Sequence, residues 1–242
     1  MKEFLRSVAR RCGYEISRYS PETNHTARLL RCLETLHIET VVDVGANVGQ
    51  FARGLRAAGF AGRIISIEPQ RDAHEALVSH ASKDPLRNWQ VMPCVAVGEV
   101  ESTLDLHIAG NSWSTSLLPV LDAHTDAEPS SRKVRTERIP VKRLDDLLRT
   151  TDLVLSQPLL IKLDVQGYES QVLRGATGVL PAASAILTEM SLTPLYDGQV
   201  MWRDLYDQII AYGFEVFDIN PGFADPSTGR LLQMDGLFTR CR

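Results

Sequence analysis

Apolar positions follow two rhythms along this chain, one suited to buried strands and one to helices. Val41-Val42-Asp43-Val44 is a nearly continuous apolar run, which a strand covered on both faces requires, and it leads directly into Gly45-Ala46-Asn47-Val48-Gly49. Phe51, Leu55 and Ala58 then recur at helical spacing until Gly59, so the pattern predicts strand, glycine turn and helix in succession. Arg63-Ile64-Ile65-Ser66-Ile67-Glu68 reads as a second strand stopped by Pro69, followed by a helix over residues 71–82 and a third strand over 90–97. Between residues 99 and 138 the alternation breaks into short polar segments, with strands expected near 103–108 and 134–141. Regular order returns with helix 144–149, strand 159–164, helix 168–174, strand 185–190 and helix 201–212. Two β-like runs at 214–219 and 233–240 close the chain as a hairpin. The sum is an α/β, Rossmann-like fold: a seven-stranded, mostly parallel sheet with helices on both faces.

Composition narrows the class without changing that picture. A chain of 242 residues with 44% hydrophobic content can fill one α/β domain. Its 26 basic and 30 acidic residues leave a net charge of −4, which offers no positive field for a phosphate backbone, so nucleic acid is not expected as a partner. Cys12, Cys32, Cys94 and Cys241 are scattered without a zinc-like spacing, which fits a reduced, cytoplasmic protein. No apolar run reaches the roughly 20 residues that span a bilayer. Residues 2–12 read as a short basic amphipathic helix, with Phe4, Leu5, Val8, Ala9 and Cys12 on one side and Lys2, Arg6, Arg10 and Arg11 elsewhere. Such a helix packs as an arm on a domain or makes peripheral contact with the inner face of a membrane.

The first glycine turn carries the most chemical information. Gly45 permits a close backbone approach or a positive φ, and Gly49 lets the following helix start tight against the strand. A dinucleotide fingerprint would read Gly-x-Gly-x-x-Gly; here the spacing is Gly-x-x-x-Gly, with Asp43 just before it. That carboxylate would repel a pyrophosphate and suits a ligand bearing an ammonium and a sulfonium, as S-adenosylmethionine does. Glu68 ends the next strand 23 residues after Gly45, where an acid can accept hydrogen bonds from ribose hydroxyls. The expected cofactor site is therefore Asp43, Gly45, Ala46, Asn47, Gly49 and Glu68, with Ala96 in an apolar wall for the adenine.

The order of elements resembles the class I S-adenosylmethionine-dependent methyltransferase fold. The motifs look like those of the FkbM family: Asp43 to Gly49 at the first turn, Glu68-Pro69 after the second strand, Leu144-Asp145, and Lys162-Leu163-Asp164-Val165-Gln166-Gly167-Tyr168-Glu169 followed by Leu173-Arg174-Gly175-Ala176. The resemblance covers residues 41–219 and departs at Gln166, where the family commonly has Glu. It implies an O-methyltransferase acting on a hydroxyl of a sugar, glycolipid or polyketide-like metabolite. Residues 1–40 would then be an N-terminal helical arm and 41–242 the methyltransferase domain, with a substrate-covering insertion at 99–140.

Catalytic candidates follow from strand ends. Buried strands deliver Asp164 and Glu189 to the carboxyl edge of the sheet, where α/β ligands bind. Two neighbouring carboxylates could serve as a base for the acceptor hydroxyl or hold a Mg²⁺ ion that stabilises its alkoxide. His107 and His124 are further candidate bases, and Trp113 could stack on a sugar ring. Two other functions share the strand-turn-helix: a nicotinamide-dependent oxidoreductase, for which no hydride-transfer motif is evident, and a catalytically silent binding domain.

Overall fold

The computed structural model describes residues 2–16, 18–153 and 157–241, and the expected domain ends at Met1 and Arg242 lie outside them. The chain divides into two compact units, Met1–Leu36 and His37–Arg242. The first unit holds two helices, α1 (Lys2–Arg11) and α2 (His25–Thr35). Asn24 starts α2 by accepting the Ala27 N–H at 3.0 Å, the usual way an N-cap side chain satisfies a helix's first free donors. On α1, Phe4, Leu5 and Val8 are exposed; the side chain of Lys2 lies outside those described.

The second unit is built on the glycine-turn strand. Strand β1 (Thr40–Val44) is buried along its whole length, and its neighbours are β2 (Arg63–Ile67) on one side and β7 (Leu159–Leu163) on the other, both parallel to it. The full order is β3-β2-β1-β7-β8-β10-β9, where β3 is Trp89–Val91, β8 Ala183–Ser191, β9 Phe214–Pro221 and β10 Gln233–Arg240. Only β10 runs against its neighbours, pairing antiparallel with both β8 and β9. This is the class I methyltransferase, Rossmann-like architecture, with helices α3 (Gln50–Ala57), α4 (Arg71–Ala81), α6 (Leu144–Arg149), α7 (Glu169–Arg174) and α8 (Trp202–Ala211) between its strands. Apolar side chains on one face of β1 and β7, among them Val42, Val44, Leu159, Ile161 and Leu163, form the centre of the core with Val172 and Leu173 of α7. The chain leaves β1 toward β2 and later returns on the other side as β7, so the strand order reverses beside β1. A crevice opens at the carboxyl ends there.

The expected third strand, 90–97, is corrected: it is two strands in two sheets. Trp89–Val91 pairs with β2, and the Met92 N–H still bonds the Ser66 carbonyl at 2.9 Å. Pro93 then interrupts, having no N–H for a ladder. Ala96–Val97 becomes β4 of a separate three-stranded sheet, ordered β4-β6-β5, with β5 at Ser102–Ala109 and β6 at Lys133–Lys142. Between β5 and β6 the chain forms a short 3₁₀ turn at Ser112–Ser114 and helix α5 at Asp122–Ala127.

Candidate functional site

A cleft lies over the carboxyl ends of β1, β2 and β7. Gly45, Asn47, Glu68, Ala96 and Asp164, all expected from the sequence, line it; Ser112, Trp113, Ser116, Gln166 and Tyr168 complete its polar and aromatic walls. The floor is set by backbone. Gly45 has φ +77°, and a Cβ there would stand 1.9 Å from the Asp164 carbonyl oxygen, so only glycine lets β1 and β7 end this close together. Gly49 has φ +82°, and its Cβ would meet the Trp89 ring at 2.8 Å. Ala46 is buried, and its N–H bonds the Ile67 carbonyl at 3.0 Å. Ala46 and Gly49 thus shape the turn from beneath without lining the cleft.

Glu68 is held by two backbone donors, Asn47 N–H to Oε2 and Gln70 N–H to Oε1, each at 2.7 Å. Each carboxylate oxygen keeps a lone pair for a ligand hydroxyl. Burial pushes its pKa up to about 7; those N–H groups pull it down, while Asp43 and Asp164 push it further up. Asn47, at φ +48°, donates from Nδ2 to Ser112 Oγ at 3.1 Å, while its Oδ1 is buried without a protein partner. A buried acceptor with no donor is what a bound ligand would satisfy. With Val95, Ala96, Val97 and Leu106 as an apolar wall opposite, the cleft fits a nucleoside: a flat ring against the wall and ribose hydroxyls at Glu68.

Asp43 stands elsewhere. It is fully buried below the turn, and Lys162 Nζ, opposite it in the β1–β7 register, lies 3.0 Å from its Oδ1. The positive charge expected from a ligand is thus met by Lys162 of the same chain, which also packs over the Phe51 ring at 5.2 Å. Burial raises the Asp43 pKa and the Lys162 charge lowers it; such a pair orders the strand ends more than it stabilises the fold.

The structure brings Asp164 and Glu189 together through Gln166. Gln166 Nε2 donates to Asp164 Oδ1 at 2.8 Å and to Glu189 Oε2 at 3.0 Å, and its Oε1 accepts the Tyr196 hydroxyl at 2.8 Å. The Gln166 carbonyl accepts from Ser116 Oγ at 2.7 Å, and Gln233 Nε2 donates to Glu189 Oε2 at 2.6 Å. Burial, with Asp164 and Glu169 nearby, holds the Glu189 carboxyl well above the usual range. Asp164 reaches the cleft with about a third of its side chain exposed (36%), whereas Glu189 is absent from the lining. Glu169, the first residue of α7, accepts the N–H groups of Val165 and Gly167 and fixes the turn that presents Gln166. Among the described residues, no group of three or more His, Cys, Asp or Glu side chains is placed to hold a metal ion.

The histidines lie apart from the cleft wall. His124 is buried beside Tyr196 and Phe223, its pKa lowered to about 4 by burial; His107 lies on β5, also lowered by burial. Trp113 does line the cleft and is 64% exposed. Segment 111–121 is anchored: Ser116 bonds Gln166, Tyr196 OH lies 3.2 Å from the Ser114 carbonyl, and the Leu121 N–H reaches the Leu195 carbonyl. Sequence reasoning missed Tyr196, Ser116 and Gln233, which sit in no motif, and noted Gln166 only as a departure.

Comparison with known proteins sets this geometry in context. A family model described as Methyltransferase FkbM domain matches residues 43–216. A 2-O-methyltransferase, NoeI, from Sinorhizobium fredii (strain NBRC 101917 / NGR234) is 26% identical over 178 residues, 71% of each chain. Among solved structures, magnesium protoporphyrin IX methyltransferase from Synechocystis PCC 6803 with bound SAM is 11% identical, with a TM-score of 0.48 over 88% of this chain and 76% of that one. An rRNA methylase from Streptococcus thermophilus is 8% identical, with a TM-score of 0.48 over 93% of this chain and all of that one. The family match sets aside the oxidoreductase and silent-binder readings. The resemblance drawn from the motifs is corrected in what it singles out. The β3-β2-β1-β7-β8-β10-β9 sheet is the general class I methyltransferase one, so the FkbM motifs mark no separate fold.

Proposed function

The chain belongs to the Methyltransferase FkbM domain family and is an S-adenosylmethionine-dependent methyltransferase, and from that premise we propose that it methylates a hydroxyl of a small, sugar-like acceptor. The observation that carries this reading is Asp164, a partly exposed carboxylate at the cleft beside the aromatic side chains of Trp113 and Tyr168. Among the described residues no Lys or Arg lines the cleft, which favours a neutral hydroxylated acceptor over a phosphate backbone. The 2-O-methyltransferase relative supports an oxygen acceptor, and a sugar or glycolipid is the finer form of the reading.

When bound, S-adenosylmethionine supplies an electrophilic methyl carbon on a sulfonium sulfur. The chain's contribution is placement and proton transfer. Glu68 and Asn47 hold the nucleoside end, and Gly45 leaves room at the floor. Trp113 and Tyr168 stack against the acceptor ring. The Asp164 carboxylate, which reaches the cleft, would accept the proton that the acceptor hydroxyl gives up. Asp164→Asn keeps the shape and removes the base. Turnover of hydroxylated sugars with methyl-labelled cofactor should fall about 10²-fold or more, with cofactor affinity largely kept. Full activity of Asp164→Asn would exclude it as the base, and methylation of RNA in place of sugars would overturn the acceptor class.

The α1 helix extends this reading to a glycolipid at a membrane surface. Its exposed Phe4, Leu5 and Val8, with Arg6 and Arg10 on the opposite side and Arg11 at the edge of the apolar stripe, suit an anionic bilayer, where apolar insertion and charge attraction add. Sedimentation with vesicles should show binding to anionic but not to neutral phosphatidylcholine vesicles, and Leu5→Glu should abolish it. Equal binding to both would remove the charge argument.

A further inference from the structure

The sequence suggested a cation between Asp164 and Glu189; the donor set that surrounds them does not fit one. Divalent Mg²⁺ and Ca²⁺ take oxygen ligands. Here the groups aimed at the two carboxyls are nitrogen donors: Gln166 Nε2 to both, Gln233 Nε2 to Glu189, and Lys162 Nζ to Asp164 Oδ2 at 3.3 Å. The orientation of the Gln166 amide follows from chemistry. Reversed, its oxygen would face the Asp164 carboxylate and that charge-assisted bond would be lost. Tyr196 OH fixes it from one side, and Ser116 holds the backbone carbonyl from the other. Gln166 also stands at φ +55°, a left-handed conformation that a non-glycine residue adopts at a cost. This neighbourhood therefore keeps a strained backbone in order to aim one neutral amide at two acids.

We propose that the Gln166 amide takes the place of a divalent cation, cross-linking the ends of β7 and β8 so that this chain needs no metal there, and that Gln166→Glu converts the same point into a cation site. The exchange is nearly isosteric. It replaces the bridging N–H pair with a further carboxylate beside Asp164 and Glu189, near Glu169 and Asp235, a group of acids that can share the space only by taking up protons or a cation. The inference does not depend on the acceptor, because its readout is cation binding alone.

The test is thermal unfolding and calorimetric titration of the full chain with Mg²⁺, Ca²⁺ or Mn²⁺ as the only added ligand, against EDTA. Wild type should be indifferent to millimolar cation. Gln166→Glu should unfold at least about 3 °C lower in EDTA and recover with cation, as binding to the folded state requires. The double variant Gln166→Glu/Asp164→Asn should lose the recovery, which locates the ion. Saturable cation binding by wild type that Asp164→Asn abolishes would overturn the proposal. So would a Gln166→Glu chain that no cation rescues, whether it stays folded and indifferent or stays unfolded.

Discussion

At the β1–β2 end of the cleft the ligand-facing groups are held by backbone: Gly45 by its own φ, Glu68 by the N–H groups of Asn47 and Gln70. At the β7–β8 end they are held by side chains from separate segments: Tyr196, Gln233 and Ser116 converge on Gln166 and Glu189. The first kind of site is set by backbone once the β1, β2 and β7 ends are paired. The second exists only after distant segments have packed, and each of its bonds is one among several. A single change should therefore be severe at the first end and partial at the second.

Gly45→Ala should have the largest effect. Its Cβ would overlap the Asp164 carbonyl at 1.9 Å, and alanine also resists φ +77°, so the β1 and β7 ends must separate. Loss of measurable S-adenosylhomocysteine binding is expected, together with a fall in Tm above about 5 °C. An alanine variant that binds normally would show that the turn is not fixed by backbone.

Glu68 gives the next largest effect, and its sign can be worked out. An ordinary glutamate titrates near 4.5; in the fold this one is pushed up to about 7, so between those values the folded chain holds a proton that the unfolded chain has lost. Its contribution to stability is full below the lower value and disappears as pH rises through the upper, a change of about 3–4 kcal/mol at most. Glu169, also pushed to about 7 by burial, adds a contribution of the same sign. The Tm should decline across about pH 5 to 8, and Glu68→Gln should flatten part of the decline. Ribose hydroxyls donate to the ionised form, so cofactor affinity should rise over the same window. Glu68→Ala should weaken binding by about 1–3 kcal/mol. A pH-independent wild-type affinity would place Glu68 outside the ribose contacts.

The same contrast explains what could be read in advance. The glycine turn, the Glu68 strand end and the six main strands other than β3 depend on local pattern, and Val41 to Gly49 alone carries the turn that shapes the floor. Asp43 misled because the sequence shows a carboxylate next to a ligand site but not the Lys162 ammonium that strand pairing places 3.0 Å away. The third strand misled because its apolar residues run through Pro93 without a break in hydrophobicity, while the hydrogen-bond ladder stops there. The partners of Gln166 were hidden, although the motif's departure there left a hydrogen-bonding role open. Tyr196 lies 30 residues from Gln166, and Gln233 lies 44 from Glu189. No periodicity joins such positions.

Tyr196→Phe should give the smallest effect and measures how separate the two ends are. The variant keeps a buried ring of nearly the same volume and removes the hydroxyl, which shares its one proton between Gln166 Oε1 at 2.8 Å and the Ser114 carbonyl at 3.2 Å. The remaining Gln166 bonds to Asp164, Glu189 and Ser116 persist, so the cost is that of one buried hydrogen bond, about 1 kcal/mol, with a Tm lower by about 2–4 °C. The amide loses its orienting partner, and the Asp164 side of the cleft loosens with it. Acceptor KM should rise several-fold, while the Kd for S-adenosylhomocysteine, measured by calorimetry, stays within about twofold because Gly45, Asn47 and Glu68 make no bond to Tyr196. A Kd that worsens in step with KM would mean that the side-chain network also carries the cofactor floor, through the contact of Gly45 with the Asp164 carbonyl, and the division into two independently built ends would fail.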